Sequence, residues 1–299
     1  MPSTKDIRRR IRVVKNIEKI TSAMTMVAAA RLRRAQDRAE SARPYAEKMR
    51  EVMADLAANV GEIEHPLLEV REEINTAYVI IGAERGLAGS YNVNVMHKAM
   101  EEIGDRDPES VRLVLIGKKA LSFFRRKAYP IAAEPEVTLG VVQFAGIRAV
   151  TAQIRSMFES GEVDAVYLVY AKFISPMRQD PTCVRLLPMS ALSTGSAWPG
   201  PRIEAQQRIT TQQGIDYIFE PAAGELLGKL LPRYVDTQIY QALVESNASE
   251  QGARMTAMSA ATKNAAEMIE NLTLQYHKAR QQAITREIVE IVSGAEALR

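Results

Sequence analysis

The chain has 299 residues, 46% of them hydrophobic and 25% charged, which is typical of a protein that buries a core as one large domain or two ordinary ones. It has no apolar run of about 18 residues, so we expect no membrane-spanning helix, and its start lacks the apolar stretch of a secretory signal. The single cysteine, Cys183, excludes an internal disulfide and favours a reducing compartment.

The segment 1–60 is predicted to form one amphipathic helix. Apolar or small residues recur in steps of three and four, and Ser3 or Thr4 can cap the first turn. Pro44 should bend this helix rather than end it, because the periodicity resumes after the proline. The predicted stripe consists of Ile7, Ile11, Val14, Ile17, Thr21, Met24, Ala28, Leu32 and Ala35.

The positive charge of the chain is concentrated in this helix. Residues 1–50 contain 14 Lys and Arg against 5 Asp and Glu, a net charge of +9, whereas the whole chain has a formal charge of +3. The basic residues cluster at 8–12 and 31–38. Such a face can simply be solvated, or it can bind the phosphates of a nucleic acid or an acidic protein surface.

The middle of the chain predicts alternating strands and helices. This alternation is typical of parallel β/α units, so we expect a Rossmann-like α/β domain at 74–221. Its predicted strands cover 76–83, 111–117 and 165–173, with further candidates at 182–189 and 215–221, and its predicted helices lie near 93–103, before Lys127 and at 145–159. The segment 190–200 is expected to be an exposed loop.

The loop after the first predicted strand, residues 82–92, contains several glycines but lacks the features of a nucleotide site. It has no lysine for a Walker A motif, and the spacing of its glycines does not match G-x-G-x-x-G. The three histidines lie far apart, and no G-x-S-x-G or H-E-x-x-H motif occurs. We therefore expect no catalytic residue, no cofactor, no metal, and no ATP binding by the isolated chain.

The segment 222–299 is predicted to be a second long helix, with a kink at Pro232 and a C-terminal cap at Gly294. Its helical stripe runs from Val244 to Ile291, and residues 234–293 alone would span roughly 90 Å at about 1.5 Å per residue. A helix of that length needs a partner helix along it.

Two matching stripes at opposite ends of the chain predict an antiparallel coiled coil, with Ile7 to Leu32 lying against part of Met255 to Ile291. The α/β domain is then an insertion at one end of the coil. The C-terminal stripe is rich in alanine and methionine, which allow close approach without a sharp register. From composition alone, a plain structural coiled coil and a basic coiled-coil nucleic-acid-binding protein remain alternatives.

The sequence resembles the gamma subunits of F-type ATP synthases over essentially its whole length. Highly specific terminal motifs carry the resemblance, and shorter motifs support it in the middle. They are K-D-I-R-R-R-I and N-I-E-K-I-T-S-A-M-T-M-V-A-A-A-R (within 5–31), A-S-E-Q-G-A-R-M-T-A-M-S-A-A-T-K-N-A (248–265), K-A-R-Q-Q-A-I-T-R-E-I-V-E-I-V-S-G-A (278–295), E-R-G-L-A-G-S-Y-N (84–92), V-Y-L-V-Y-A-K-F (166–173) and D-Y-I-F-E-P (216–221).

The resemblance implies a non-catalytic subunit of a rotary motor. The terminal helices would form a central shaft whose tip turns inside a hexamer of alternating alpha and beta subunits. The α/β domain would form a foot that sits, with the epsilon subunit, on the ring of membrane c subunits. Rotation would couple proton or sodium flow to ATP synthesis and hydrolysis, with the chain held peripherally at the cytoplasmic face of a bacterial cell membrane.

The resemblance also implies contact residues. Met24, in S-A-M-T-M, matches a methionine that faces a beta-subunit loop. Shaft residues near the hexamer are matched by Arg254, Gln281 and Thr285, and positions at the foot beside the c-ring and epsilon subunit are matched by Tyr217 and Glu220.

The sequence departs from the family at one loop position, where Ala88 replaces a frequent cysteine. The inserted segment and regulatory cysteine pair of the plastid form are absent, so we expect a bacterial form without thiol control. Because the resemblance begins near residue 3, we also expect no organelle transit peptide.

Overall fold

The computed structural model describes residues 3–59, 65–127, 129–135, 144–189 and 223–297. In chain order its longer elements are α1 (Thr4–Asn59), β1 (Thr76–Ile81), α2 (Tyr91–Ile103), β2 (Val111–Ile116), α3 (Lys118–Phe124), β3 (Ile131–Ala133), α4 (Phe144–Glu159), β4 (Ala165–Ser175), β5 (Arg178–Leu187) and α5 (Ala223–Ala297). The chain divides into two compact units. The helical unit comprises residues 1–29 and 254–299, and the sheet unit comprises residues 30–253.

A reciprocal cap starts α1 in the helical unit. The Ser3 hydroxyl oxygen accepts a hydrogen bond from the Asp6 amide at 3.2 Å, and the Asp6 carboxylate accepts one from the Ser3 hydroxyl at 2.7 Å. These bonds satisfy amides that a helix start otherwise leaves unpaired. The predicted cap at Ser3 is therefore confirmed. The hydrogen bonds from Ser3 also lower the pKa of Asp6.

The helical unit is an antiparallel coiled coil, as predicted. Buried and half-buried positions alternate in steps of four and three, which is the seven-residue repeat of a coiled coil. These positions are 7, 11, 14, 18, 21, 25 and 28 in α1 and 255, 258, 262, 265, 269, 272 and 276 in α5. Thr262 donates a hydrogen bond to Thr21 at 2.7 Å, and Arg8 donates one to the Tyr276 hydroxyl at 2.6 Å. Residue numbers therefore increase along α1 in the direction in which they decrease along α5.

The prediction that Ile17 belongs to the apolar stripe of α1 is wrong. Ile17 is 46% exposed, whereas Glu18 is half-buried at the seam position. The predicted stripe takes a step of three from Val14, but the coiled-coil repeat takes a step of four there. The seam follows the repeat because the partner helix, and not the hydrophobicity of one side chain, sets which positions face it.

The end of the predicted α5 stripe also differs from the structure. Every residue from Gln281 to Ala295 is exposed in the chain. The antiparallel register explains this, since α1 begins at Thr4 and has no residue left to cover α5 beyond about residue 279. Gly294 does not end the helix, because α5 continues through it to Ala297.

A crosslink can test this register in solution. In a Cys183→Ser background, the pair Thr21→Cys and Thr262→Cys should form a disulfide on mild oxidation, because the two hydroxyl oxygens are 2.7 Å apart. Mobility on a non-reducing gel measures the yield. The matched control joins Thr21→Cys to Thr285→Cys, which the register separates by roughly 35 Å along the helix. Crosslinking of the control pair alone would contradict the antiparallel arrangement.

The sheet unit contains a five-stranded sheet in the order β3-β2-β1-β4-β5. The strands β1, β2, β3 and β4 pair in parallel, which confirms the predicted β/α units. The edge strand β5 pairs antiparallel to β4, because the connection between Ser175 and Arg178 is far too short for a crossover. Pro181 lacks an amide hydrogen. It is tolerated in β5 because an edge strand forms backbone hydrogen bonds on one side only.

The predicted strands near 76, 111, 165 and 182 are confirmed, and β3 is a short strand that the sequence did not indicate. The predicted strand 215–221 and the predicted loop 190–200 lie outside the described residues. α1 runs through Pro44 without ending, as predicted.

Hydrophobic cores cover both faces of the sheet. All six residues of β1 are buried, as expected for a central parallel strand with packing on each side. On one face Val79 and Ile81 pack with α4 and with the parts of α1 and α5 that belong to this unit. On the other face Tyr78 and Ile80 pack with α2 and α3.

The part of α5 in the sheet unit is buried on nearly all sides, so its polar side chains need partners. Thr151 donates a short hydrogen bond to Asp236, and Ser249 donates one to the Ala171 carbonyl at 2.9 Å. Gly252 allows the turn between β4 and β5 to approach, since an added Cβ would lie 3.2 Å from the Cα of Pro176. This is the physical reason for the one glycine within the predicted stripe.

Candidate subunit-interaction site

The structure places four of the six predicted contact residues. Met24 is half-buried beside the seam of the helical unit. Arg254 begins the α5 part of that unit and is only 8% exposed. Gln281 and Thr285 are exposed. Tyr217 and Glu220 lie outside the described residues.

The four placed residues form two groups rather than one site. In the antiparallel register Met24 lies opposite residue 259 or so, within about two helical turns of Arg254. Gln281 and Thr285 lie roughly 40 Å further along α5. Any common partner must therefore contact the helical unit along its length.

The end of α5, residues 281–295, presents an exposed apolar surface. Large aliphatic side chains are exposed there, from 45% at Ile284 to 66% at Ile291. The others are Ile288, Val289 and Val292. Their periodicity predicted a coiled-coil seam, but no α1 residue reaches them. A contiguous apolar surface of this kind marks a site where another molecule packs.

The beginning of α1 adds positive charge to the helical unit. Arg9, Arg10, Arg12, Lys15 and Lys19 are all exposed. Arg8 instead packs on Tyr276, with its guanidinium 5.4 Å from the ring centroid, and the hydrogen bond from Arg8 lowers the pKa of the Tyr276 hydroxyl. The exposed cations suit an acidic partner surface.

The glycine-containing loop 82–92 is held by internal contacts. The Ala83 amide donates to the Asn92 side chain at 2.9 Å, and the Ala83 carbonyl accepts from the Lys119 amide at 3.0 Å. These bonds tie the end of β1 to the starts of α2 and α3. The contacts give this loop a structural role in joining three elements.

Cys183 is a half-buried side chain that packs against the core on the α2 face. Burial raises the pKa of its thiol to about 12. A thiol that stays protonated is a poor nucleophile and a poor metal ligand. Its half-buried position suits a cysteine that packs as a small apolar residue.

Within the described ranges, no three His, Cys, Asp or Glu side chains are arranged to hold a metal ion. The same part of the chain contains no helix that is long and apolar enough to cross a membrane.

Solved structures share the fold of this chain. The central stalk of Tetrahymena thermophila mitochondrial ATP synthase, determined with its c-ring, is similar with a TM-score of 0.57 and 23% identity, over 81% of this chain and 99% of that chain. A chain of the Euglena gracilis mitochondrial ATP synthase is similar with a TM-score of 0.65 and 17% identity, over 99% of this chain and 94% of that chain. At these identities the likeness concerns the fold.

Sequence relatives are closer and cover the whole chain. The family model described as ATP synthase matches residues 3–298. The ATP synthase gamma chain of Heliobacterium modesticaldum is 46% identical, and that of Desulforamulus reducens 45% identical, each over 299 residues and 100% of both chains. These matches do not support the nucleic-acid-binding alternative. With its terminal motifs, its antiparallel coiled coil and these relatives all in agreement, the chain belongs to the ATP synthase gamma-chain family.

Proposed function

We propose that this gamma chain rotates as the central shaft within a hexamer of alternating alpha and beta subunits. Rotation of a membrane c-ring, driven by protons or sodium ions, would turn the shaft and so drive ATP synthesis, or the reverse during hydrolysis. The gamma chain itself is a non-catalytic subunit. The observation that carries the proposal is the exposed end of α5, residues 281–295.

That end is a single helix about 20 Å long with no intramolecular partner in the described chain. Isolated helices of this length are marginal in water unless packing supports them. Burying each exposed Ile or Val side chain against a partner is worth about 1.5–3 kcal/mol. Subunits that surround the helix would supply that packing on all of its sides. A partner with a flat surface would cover one face only.

The coiled-coil seam suits a rotating shaft. Its buried positions include Thr21, Ala28, Met258 and Ala265, which are small or flexible residues that allow close helix approach. Two closely packed antiparallel helices resist torsion better than one helix. The exposed cations of α1 would face acidic loops of the surrounding hexamer.

The contact residues are proposed from the resemblance of their motifs to those of the family. We assign Met24 and Arg254 to coupling contacts with the hexamer at one level of the helical unit, and Gln281 and Thr285 to contacts nearer the tip. Tyr217 and Glu220 are proposed to contact the c-ring and the epsilon subunit. In functional terms the shaft helices are 1–60 and 222–299, and the foot domain is 74–221.

The location follows from these partners. The chain would be held peripherally at the cytoplasmic face of the bacterial cell membrane, and only through the complex. The coupling ion depends on the c-ring and not on this chain.

The native mass of the complex recovered through a tagged copy of this chain tests the proposal. Three alpha, three beta and one epsilon subunit should accompany it. The double variant Ile288→Asp and Ile291→Asp should lower the recovered alpha and beta subunits severalfold, because burying a carboxylate in an apolar environment is costly.

The matched control is Val70→Asp, which changes an equally exposed aliphatic residue of the sheet unit and should leave recovery unchanged. Recovery of nucleic acid instead of alpha and beta subunits would contradict the proposed function. Unchanged recovery with the double variant would show that the α5 end is not the docking surface.

A further inference from the structure

A cavity of about 650 Å³ lies within the sheet unit. Its walls come from three elements, namely α1 over residues 36–46, the end of β4 at residues 172–173, and α5 over residues 237–248. Cavities of this volume are typical of small-molecule sites. None of the predicted contact residues lines it.

The walls combine aromatic and charged side chains. Tyr45, Phe173 and Tyr240 supply aromatic surface. The cations Arg38, Arg43 and Lys172 line the cavity, and Glu245 is the one carboxylate among the described lining residues. The local charge is therefore positive, which favours an anionic ligand.

Lys172 is the residue that most needs a counter-charge. It is only 7% exposed, and its ammonium forms no hydrogen bond or ion pair with the residues that the structure describes. Its cross-strand neighbour is Asp180, an exposed residue with which it makes no ion pair in the described chain. A ligand that supplies an anionic oxygen would give this ammonium a hydrogen-bonded counter-charge inside the cavity.

Glu245 does not meet this need well. Burial raises the pKa of its carboxyl, while Lys172 and Arg43 act in the opposite direction. Gln241 donates a hydrogen bond to Glu245 at 3.3 Å, which leaves the carboxyl supported from within α5. Glu245 therefore balances at most one of the three cations that line the cavity.

We propose that this cavity binds a small organic anion, with a carboxylate or sulfonate group at Lys172 and an aromatic or apolar body against Phe173 and Tyr240. Arg43, which lies on α1, adds a second cation at the cavity wall. Because α1 and α5 both line the cavity, the bound anion joins these two helices within the sheet unit. Binding therefore raises the thermal stability of the chain by mass action.

The test uses the purified full chain and the fluorescent probe 8-anilinonaphthalene-1-sulfonate. Its neutral analogue N-phenyl-1-naphthylamine has the same rings without the sulfonate. Lys172→Met should weaken sulfonate binding by about tenfold, the usual range for losing a charged hydrogen bond, and should leave the neutral probe within about twofold. Lys229→Met, at an exposed lysine paired with Glu225 outside the cavity, is the matched control and should change neither probe.

Two further variants keep the test decisive. Arg43→Gln changes an exposed residue, so the fold should persist, and sulfonate binding should weaken by about threefold. Ala42→Trp fills the cavity and should abolish binding of both probes. Undiminished sulfonate binding in Lys172→Met and Arg43→Gln would overturn the proposal, and so would undiminished binding in Ala42→Trp, which would place the probe elsewhere on the chain.

Discussion

In membranes that hold equal amounts of assembled enzyme, Arg254→Ala is expected to lower the rates of both ATP synthesis and ATP hydrolysis. Arg254 is 8% exposed within this chain, so most of its side chain is already packed before any partner subunit binds. Truncating one member of a buried charged pair costs about 2–5 kcal/mol, much of it because the partner charge is left unpaired. In the proposed coupling role, losing this residue's contact with the hexamer would slow every turn of the shaft.

The matched control is Lys263→Ala, at an exposed cation nine residues further along the same helix. An exposed ion pair is worth only about 0–1 kcal/mol, so turnover should change little, and the same is expected for Ala261→Ser near the seam. Activity of Arg254→Ala equal to wild type would remove the coupling role. Failure of the variant to assemble would instead assign Arg254 to the structure of the shaft.

Gly117→Ala is expected to have the largest effect on folding stability. Gly117 precedes α3 with φ at +90°, and an added Cβ would lie 2.1 Å from the carbonyl oxygen of Gly82. Gly82 itself donates its amide to the Ile116 carbonyl at 2.9 Å, so the backbone cannot shift without disturbing the central pair of strands. A positive φ with ψ at 137° costs a residue with a Cβ about 1–3 kcal/mol, and the clash should bring the total to about 3–5 kcal/mol.

Urea unfolding of the purified chain measures this loss. The control is Gly228→Ala in α5, where an added Cβ meets nothing within 4 Å. The same substitution should be neutral or stabilise the helix by up to about 1 kcal/mol. A cost below about 1 kcal/mol for Gly117→Ala would mean that the approach to Gly82 is looser in solution than in the structure.

Local patterns were enough to predict the main elements. Apolar residues in steps of three and four and a β/α alternation are properties of short stretches of chain. Residues 76–83, 111–117 and 165–173 therefore indicated strands without any tertiary information. The antiparallel pairing also followed, because two long stripes at opposite ends of one chain have few other ways to cover each other. The family motifs added the predicted contact residues, of which Arg254, Gln281 and Thr285 lie along α5.

The sequence by itself therefore determined the two long helices, the parallel strands and the family. Only the tertiary structure decided where the seam stops, since that depends on the register set by Thr21 and Thr262 and on where α1 begins. It likewise decided that Ile291 is exposed and that Lys172 is buried beside a cavity. The physical reason is that periodicity specifies which residues share a face, whereas exposure depends on what the rest of the chain places against that face.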